Sequence, residues 1–261
     1  MRAEAEIDLE AYLARAPDPE RETLRMEWHL ERYRFALGQR PAPARAADLG
    51  CGLGFGADIL SAAAREVSAF DINPQVVAHA AERNSRDNVR FEVHDALAGK
   101  VPRSPYDLIC AFEIIEHLED PDTALRYWRA SLASGGKLVL STPNSADGET
   151  GSHPYHSYQF SQATLERLLR QHFPGVEMFS QGIPRRRQEF EDRKQRSPVL
   201  NLFRQLDVLR LRRFLPRTVV DPVLDRVTKV TQDSLRSEVA LITPGHGELA
   251  RWAVAVCSNE G

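Results

Sequence analysis

Two groups of residues in this chain have the types and spacing to do chemistry. The first is Asp48-Leu49-Gly50-Cys51-Gly52-Leu53-Gly54-Phe55-Gly56, an acid followed by four glycines at alternate positions. Glycine suits positions where φ is positive or where a ligand lies against the backbone. A helix starting behind such a loop offers free N–H groups to a polar ligand. The second group is Glu113-Ile114-Ile115-Glu116-His117, followed further on by His153 and His156. Three readings of it stand side by side. His117 is a general base, since imidazole titrates near neutral pH, with Glu116 or Glu113 orienting it. Alternatively Glu113, Glu116, His117 and His156 ligate Mg²⁺, Mn²⁺ or Zn²⁺. In the third reading the segment is the solvated, partly capping start of a helix. On a helix the i, i+3, i+4 spacing puts Glu113, Glu116 and His117 on one face.

The elements needed to hold these groups are legible along the chain. Ala46-Ala47-Asp48-Leu49 reads as a strand and Ala57–Ala64 as the helix after the glycines, the first unit of an open parallel sheet. Residues 66–74 give a second strand ending in Asp71, and an acid there can accept both hydroxyls of a ribose. Pro74 suits the first position of the next helix. Residues 89–95, 106–112 and 137–143 supply third, fourth and fifth strands, the last after a Ser134-Gly135-Gly136 turn. Strands alternating with helices predict an α/β, doubly wound parallel sheet with its ligand at the strand C-terminal ends. Ser161 is placed to cap a helix over Gln162–His172, and residues 176–181 and 252–257 read as the last two strands. Residues 5–37 read as helical around a Pro-Asp-Pro break at 17–19, with Trp28, Leu30, Tyr33 and Leu37 on the face that packs as a lid. The frame Gly52-x-Gly54-x-x-Ala57 also fits the looser dinucleotide fingerprint, but a nicotinamide cofactor leaves the later motifs unexplained.

Composition bounds the answer. The 261 residues carry a net charge of −3 and are 42% hydrophobic, enough for one α/β domain with an appendage. Cys51, Cys110 and Cys257 are isolated, so neither a disulfide framework nor a cysteine metal site is expected. With an acidic N-terminus and no long apolar run, a cytoplasmic protein is expected. Between the last two strands lie residues 184–250. Within 184–217 there are eleven Lys and Arg against four acids. Val199, Leu202, Phe203, Leu206 and Leu209 recur there at helical spacing, which predicts an amphipathic segment. It reads as a cap over an acceptor pocket, as a surface for an anionic acceptor or for peripheral membrane contact through 185–217, or as a dimer contact; the oligomeric state stays open. Nucleic acid is the weakest partner, since no aromatic platform interleaves the basic residues. Thr243-Pro244-Gly245-His246-Gly247 reads as a turn with His246 exposed.

The order Asp48-x-Gly50-x-Gly52-x-Gly54, Phe70-Asp71, Val93-His94-Asp95-Ala96, Glu113-Ile114-Ile115-Glu116-His117 and Gly135-Gly136-Lys137-Leu138 resembles the class I S-adenosylmethionine-dependent methyltransferases. The resemblance extends to the small-molecule and glycan O-methyltransferases that include the ubiquinone-biosynthesis type. It implies a seven-stranded, mostly parallel sheet whose last two strands pair antiparallel at the edge, here with a helical insertion between them. The expected division is an N-terminal helical lid over 1–45, a cofactor-binding core over 46–183, a basic helical cap over 184–250 and a final strand over 251–261. The resemblance places the methionine end of S-adenosylmethionine on Asp48 and the backbone of Gly50, Cys51, Gly52 and Gly54. It places the ribose on Asp71 and the adenine against Ile72, Asp95 and Ala96, with Phe112 and Glu113 completing the site. The implied activity is methyl transfer to a hydroxyl of a small-molecule or glycan acceptor, with His117, Glu116 and His156 as catalytic candidates. A divalent metal is the less favoured variant. The alternatives are a metal-dependent RNA 2′-O-methyltransferase and a cofactor-binding scaffold without catalysis.

Overall fold

The computed structural model describes residues 19–84, 86–145, 157–182, 242–245 and 250–259. The expectations for residues 1–18, His153, His156, the basic stretch 184–217 and His246 fall outside them. The chain divides into two units, Met1–Gln181 with Ile242–Gly261, and Gly182–Leu241. Apart from Gly182, every element described below belongs to the first.

In chain order the elements are α1 (Pro19–Gln39), β1 (Arg45–Leu49), α2 (Phe55–Ser61), β2 (Glu66–Asp71), α3 (Pro74–Arg83), β3 (Val89–Val93), β4 (Tyr106–Phe112), a 3₁₀ turn (Ile115–His117), α4 (Pro121–Ala130), β5 (Leu132–Pro143), α5 (Gln162–His172), β6 (Gly175–Gly182), β7 (Ile242–Pro244) and β8 (Ala250–Ser258). The strands form one sheet in the order β3-β2-β1-β4-β5-β8-β6-β7. The pairings from β3 through β5 are all parallel.

Side chains alternate between the two faces of the strands. From β1 and β4, Ala47, Leu49, Ile109 and Ala111 enter a core with Leu125 and Trp128 of α4 and Leu165 and Leu169 of α5. Ala46, Leu108, Cys110 and Phe112 enter the opposite core with Tyr33 and Ala36 of α1 and Ala57 and Leu60 of α2. Helices thus cover both faces, as the alternating pattern predicted. The cap expected at Ser161 is present as a capping box with Thr164, and a second cap opens α3, where the Asn73 side chain accepts from the Gln75 and Val76 N–H groups ahead of Pro74.

The last strands carry a detail that the sequence did not. β8 is antiparallel to β5 and lies between β5 and β6, so it is interior rather than at the edge. Ala253 to Cys257 are buried on both faces, which only an interior strand allows. The edge is an eighth, three-residue strand, β7, antiparallel to β6 and formed where a turn was expected. Its shortness and its Pro244 suit an edge, because proline has no N–H to offer a further strand.

Candidate active site

The glycine loop sits between β1 and α2. Gly50, Gly52 and Gly54 have φ of 67°, 50° and 83°, the left-handed region that favours glycine. At Gly54 a Cβ would also stand 2.9 Å from the Phe91 ring, so the position excludes a side chain twice over. Asp71, at the end of β2, closes the loop. One of its carboxylate oxygens accepts the Gly52 N–H at 3.1 Å and the other the Asn73 N–H at 3.0 Å. Each oxygen keeps a second lone pair for an incoming hydroxyl. Next to it Ile72 is 64% exposed, an apolar side chain left open beside the acid. Asp95 is exposed and accepts the Leu97 N–H at 2.8 Å, Ala96 is buried, and the Cys51 N–H donates to the Phe70 carbonyl at 2.9 Å.

Asp48 is fully buried at the end of β1. One oxygen accepts the Tyr33 hydroxyl at 2.9 Å, and the other has no hydrogen-bond partner among the described residues. Burial pushes its carboxyl up to about 7, against the lowering effect of Tyr33. An acid with a spare oxygen, three left-handed glycines and an exposed apolar group beside a second acid together fit a nucleoside carrying an amino-acid end.

The segment after β4 links this loop to a cavity. Glu113 sits at φ 56°, uncommon for a residue with a side chain, and its N–H donates to Ser141 O at 2.9 Å. Ile114 follows, its Cδ1 lying 3.3 Å from where a Gly50 Cβ would be. Two residues on, Glu116 lines a cavity of about 260 Å³ with Thr142, Pro143, Asn144, Ser145, Tyr158 and Gln159. Its Oε2 accepts the Thr142 hydroxyl at 2.9 Å, and its Oε1 has no partner among the described residues. Burial lifts its carboxyl to about 7, with Glu113 adding and Thr142 and Arg32 opposing. Its backbone carbonyl accepts the N–H groups of Ser157 and Tyr158, pinning that segment to the cavity wall.

The expected helix over Glu113–His117 is not there. Ile115–His117 is a single 3₁₀ turn, and α4 begins only at Pro121 behind its cap Asp120, whose carboxylate accepts the Thr123 N–H at 3.0 Å. A proline disfavours α geometry in the residue before it, so the helix starts at Pro121 and the preceding residues form a connector. The three side chains therefore diverge: Glu116 inward to the cavity, Glu113 to an ion pair with Arg32, and His117 to an exposed position. Among the described residues no three of His, Cys, Asp and Glu gather as metal ligands; His156 lies outside them.

Arg32 is the site residue that sequence reasoning missed. It is 1% exposed, pairs with Glu113, and donates to Ser141 Oγ at 3.0 Å and Gln181 Oε1 at 2.6 Å. Its guanidinium lies 4.8 Å from the Trp252 ring centre, in the range of a cation–π contact. Gln181 in turn donates to the Trp28 carbonyl at 3.0 Å. One buried cation thus ties α1 to the ends of β4, β5, β6 and the start of β8. The signal in the sequence was Trp28, Arg32 and Ala36 on one helical face, with the arginine inside an otherwise apolar stripe.

No helix of the described residues is long and apolar enough to cross a membrane. The chain is 33% identical over 138 residues to a probable S-adenosylmethionine-dependent methyltransferase of Mycolicibacterium smegmatis, covering 51% of this chain and 52% of that protein. It is 34% identical over 107 residues to a ubiquinone biosynthesis O-methyltransferase of Xanthomonas euvesicatoria pv. vesicatoria, covering 40% and 44%. The chain thus spans about half the length of these curated relatives. Among solved structures, a SAM-dependent methyltransferase of Thermotoga maritima superposes with a TM-score of 0.58 at 14% identity, over 92% of this chain and 95% of that one, a likeness of fold. The methyltransferase domain family matches residues 21–204, well over half of the chain, and the chain belongs to the class I S-adenosylmethionine-dependent methyltransferases.

Proposed function

We propose that this chain transfers a methyl group from S-adenosylmethionine to a hydroxyl oxygen of a small-molecule or glycan acceptor seated against Glu116. The observation that carries the reading is the Glu116 carboxyl: buried, with one oxygen unpartnered among the described residues, in the wall of a cavity two residues from the contact with Gly50. Methyl transfer needs alignment of acceptor and methyl group, and for a hydroxyl acceptor also a group that takes its proton. A carboxyl lifted by burial to about 7 suits that task, because about half of it is ionised at neutral pH and the ionised form is basic enough to accept a proton. Glu116 therefore takes the role of base ahead of His117, which is exposed and not among the residues lining the cavity.

The cofactor supplies an electrophilic methyl group when bound. Asp48 and the Gly50–Gly54 backbone would hold its methionine end, Asp71 its ribose and Ile72 its base. The hydroxyls and amides lining the cavity suit an acceptor that hydrogen-bonds. The test is incubation with methyl-labelled S-adenosylmethionine and a panel of phenols, sugars and amines. Label on an oxygen, lost in Glu116→Gln, supports the reading. Label on nitrogen, or undiminished turnover by Glu116→Gln, overturns it.

A further inference from the structure

Asp48 is enclosed by four titratable groups: Tyr33 of α1, Cys51 of the glycine loop, Asp71 at the end of β2 and Cys110 of β4. None of the four is a cation. Burial pushes both thiols up and holds the Tyr33 hydroxyl well above its ordinary value, so all three stay protonated at neutral pH. Of them only Tyr33 reaches the carboxyl, at 2.9 Å, and Asp48 Oδ2 reaches no donor among the described residues. The ring that delivers this hydroxyl is located by three neighbours, one of them His29 of α1, with ring centroids 5.5 Å apart. It stands edge-on to Phe112, with centroids 4.7 Å apart. Gly56 also lies against it: a Cβ there would fall 2.0 Å from the ring and 2.4 Å from the hydroxyl oxygen. The last glycine of the motif therefore makes room for a side chain of α1.

We propose that Tyr33 is a positioning residue for the cofactor: its hydroxyl holds the Asp48 carboxylate, and through it helix α1 sets how strongly the glycine loop takes a cationic amino-acid end. The inference rests on the cofactor assignment above. Burial and Asp71 both favour the neutral carboxyl, whereas the Tyr33 hydrogen bond favours the ionised one. An ionised Asp48 attracts the ammonium group of the ligand, and a neutral one does not. Cofactor affinity should therefore tighten as pH rises through about 7, the value to which Asp48 is lifted, and level off above it.

The test is calorimetric titration of S-adenosylhomocysteine, which carries the same ammonium, into the parent and Tyr33→Phe between pH 6 and pH 8.5. The variant keeps the ring and loses the donor. It should bind about fivefold more weakly at pH 7 and about tenfold at pH 6, converging to within about twofold at pH 8.5. In an Asp48→Asn background the same substitution should change affinity by less than about twofold at every pH, since nothing remains for Tyr33 to ionise. Gly56→Ala puts a methyl group against the ring and its hydroxyl and should reproduce the pH-dependent loss, which keeps the test open if Tyr33→Phe folds poorly. A Tyr33→Phe curve that overlies the parent's overturns the inference. So does a loss equal at all pH values, or one that persists in the Asp48→Asn background. If the parent itself takes up no S-adenosylhomocysteine at any pH, the cofactor assignment falls and the inference falls with it.

Discussion

The two halves of the site are built differently. On the glycine-loop side the backbone does the work: left-handed φ at Gly50, Gly52 and Gly54, and N–H groups held on the Asp71 carboxylate. On the cavity side the work is done by side chains far apart in the chain, with Arg32 reaching Glu113, Ser141, Gln181 and Trp252, and Glu116 reaching Thr142. A backbone-built site constrains residue types at fixed local spacing. A side-chain-built site constrains pairs whose partners lie from 26 (Glu116 and Thr142) to 220 positions away (Arg32 and Trp252). The first kind serves a ligand common to many proteins, and the second is free to vary with the acceptor.

The largest expected effect lies on the cavity side. Glu116→Gln should lower turnover by about 10²–10⁴-fold, the usual worth of a positioned proton acceptor, while S-adenosylhomocysteine affinity stays near the parent's. Steady-state rates beside a binding titration check it, and equal losses in both would erase the division between the halves. Next in size is Arg32→Ala, which removes the ion pair to Glu113 and the hydrogen bonds to Ser141 and Gln181 at once. Leaving the buried Ser141 and Gln181 oxygens without this donor costs about 1–3 kcal/mol each, read as a lower denaturation midpoint, and Arg32→Lys should restore only part of it. On the loop side Gly54→Ala forces a left-handed φ on a residue with a Cβ and pushes it into Phe91. A cost of about 1–3 kcal/mol in stability, with weakened cofactor binding, is expected.

The pH dependence sharpens the comparison, because Asp48 and Glu116 stand one in each half and both are lifted to about 7 by burial. An acid whose carboxyl is raised in the folded state stabilises the fold fully below its unfolded value, and that stability is lost as pH rises through the folded one. The melting temperature of the ligand-free protein should therefore fall between about pH 4 and pH 7, and less steeply in Asp48→Asn or Glu116→Gln. Turnover should move the opposite way, rising through about pH 7 as Glu116 ionises. Turnover that falls over that interval would contradict the role given to Glu116. The smallest effect is local: Asn73→Ala, which removes the cap of α3, should cost about 1 kcal/mol and leave turnover unchanged.

What the sequence made legible follows the same line. The strands through β5, the glycine loop, the acid that ends β2 and the cap at Ser161 are all written in local patterns. Glu116 was named behind His117 because imidazole titrates near neutral pH, while the i, i+3, i+4 spacing suggested a shared helical face that Asp120-Pro121 postpones. That dipeptide was the readable signal. Arg32 and the Tyr33–Asp48 bond were not legible, since a helix face shows which residues are buried but not which distant acid they meet. The interior place of β8 was likewise hidden, although its unbroken apolar run is what a strand covered on both faces needs.

The most direct test of the division between a cofactor half and an acceptor half is a calorimetric titration of S-adenosylhomocysteine into the parent, Glu116→Gln and Asp71→Ala at pH 8. The expected result is one site per chain, of equal strength in the parent and Glu116→Gln, and weakened by about tenfold or more in Asp71→Ala. Equal binding by all three, or a loss that follows Glu116 instead of Asp71, would contradict it.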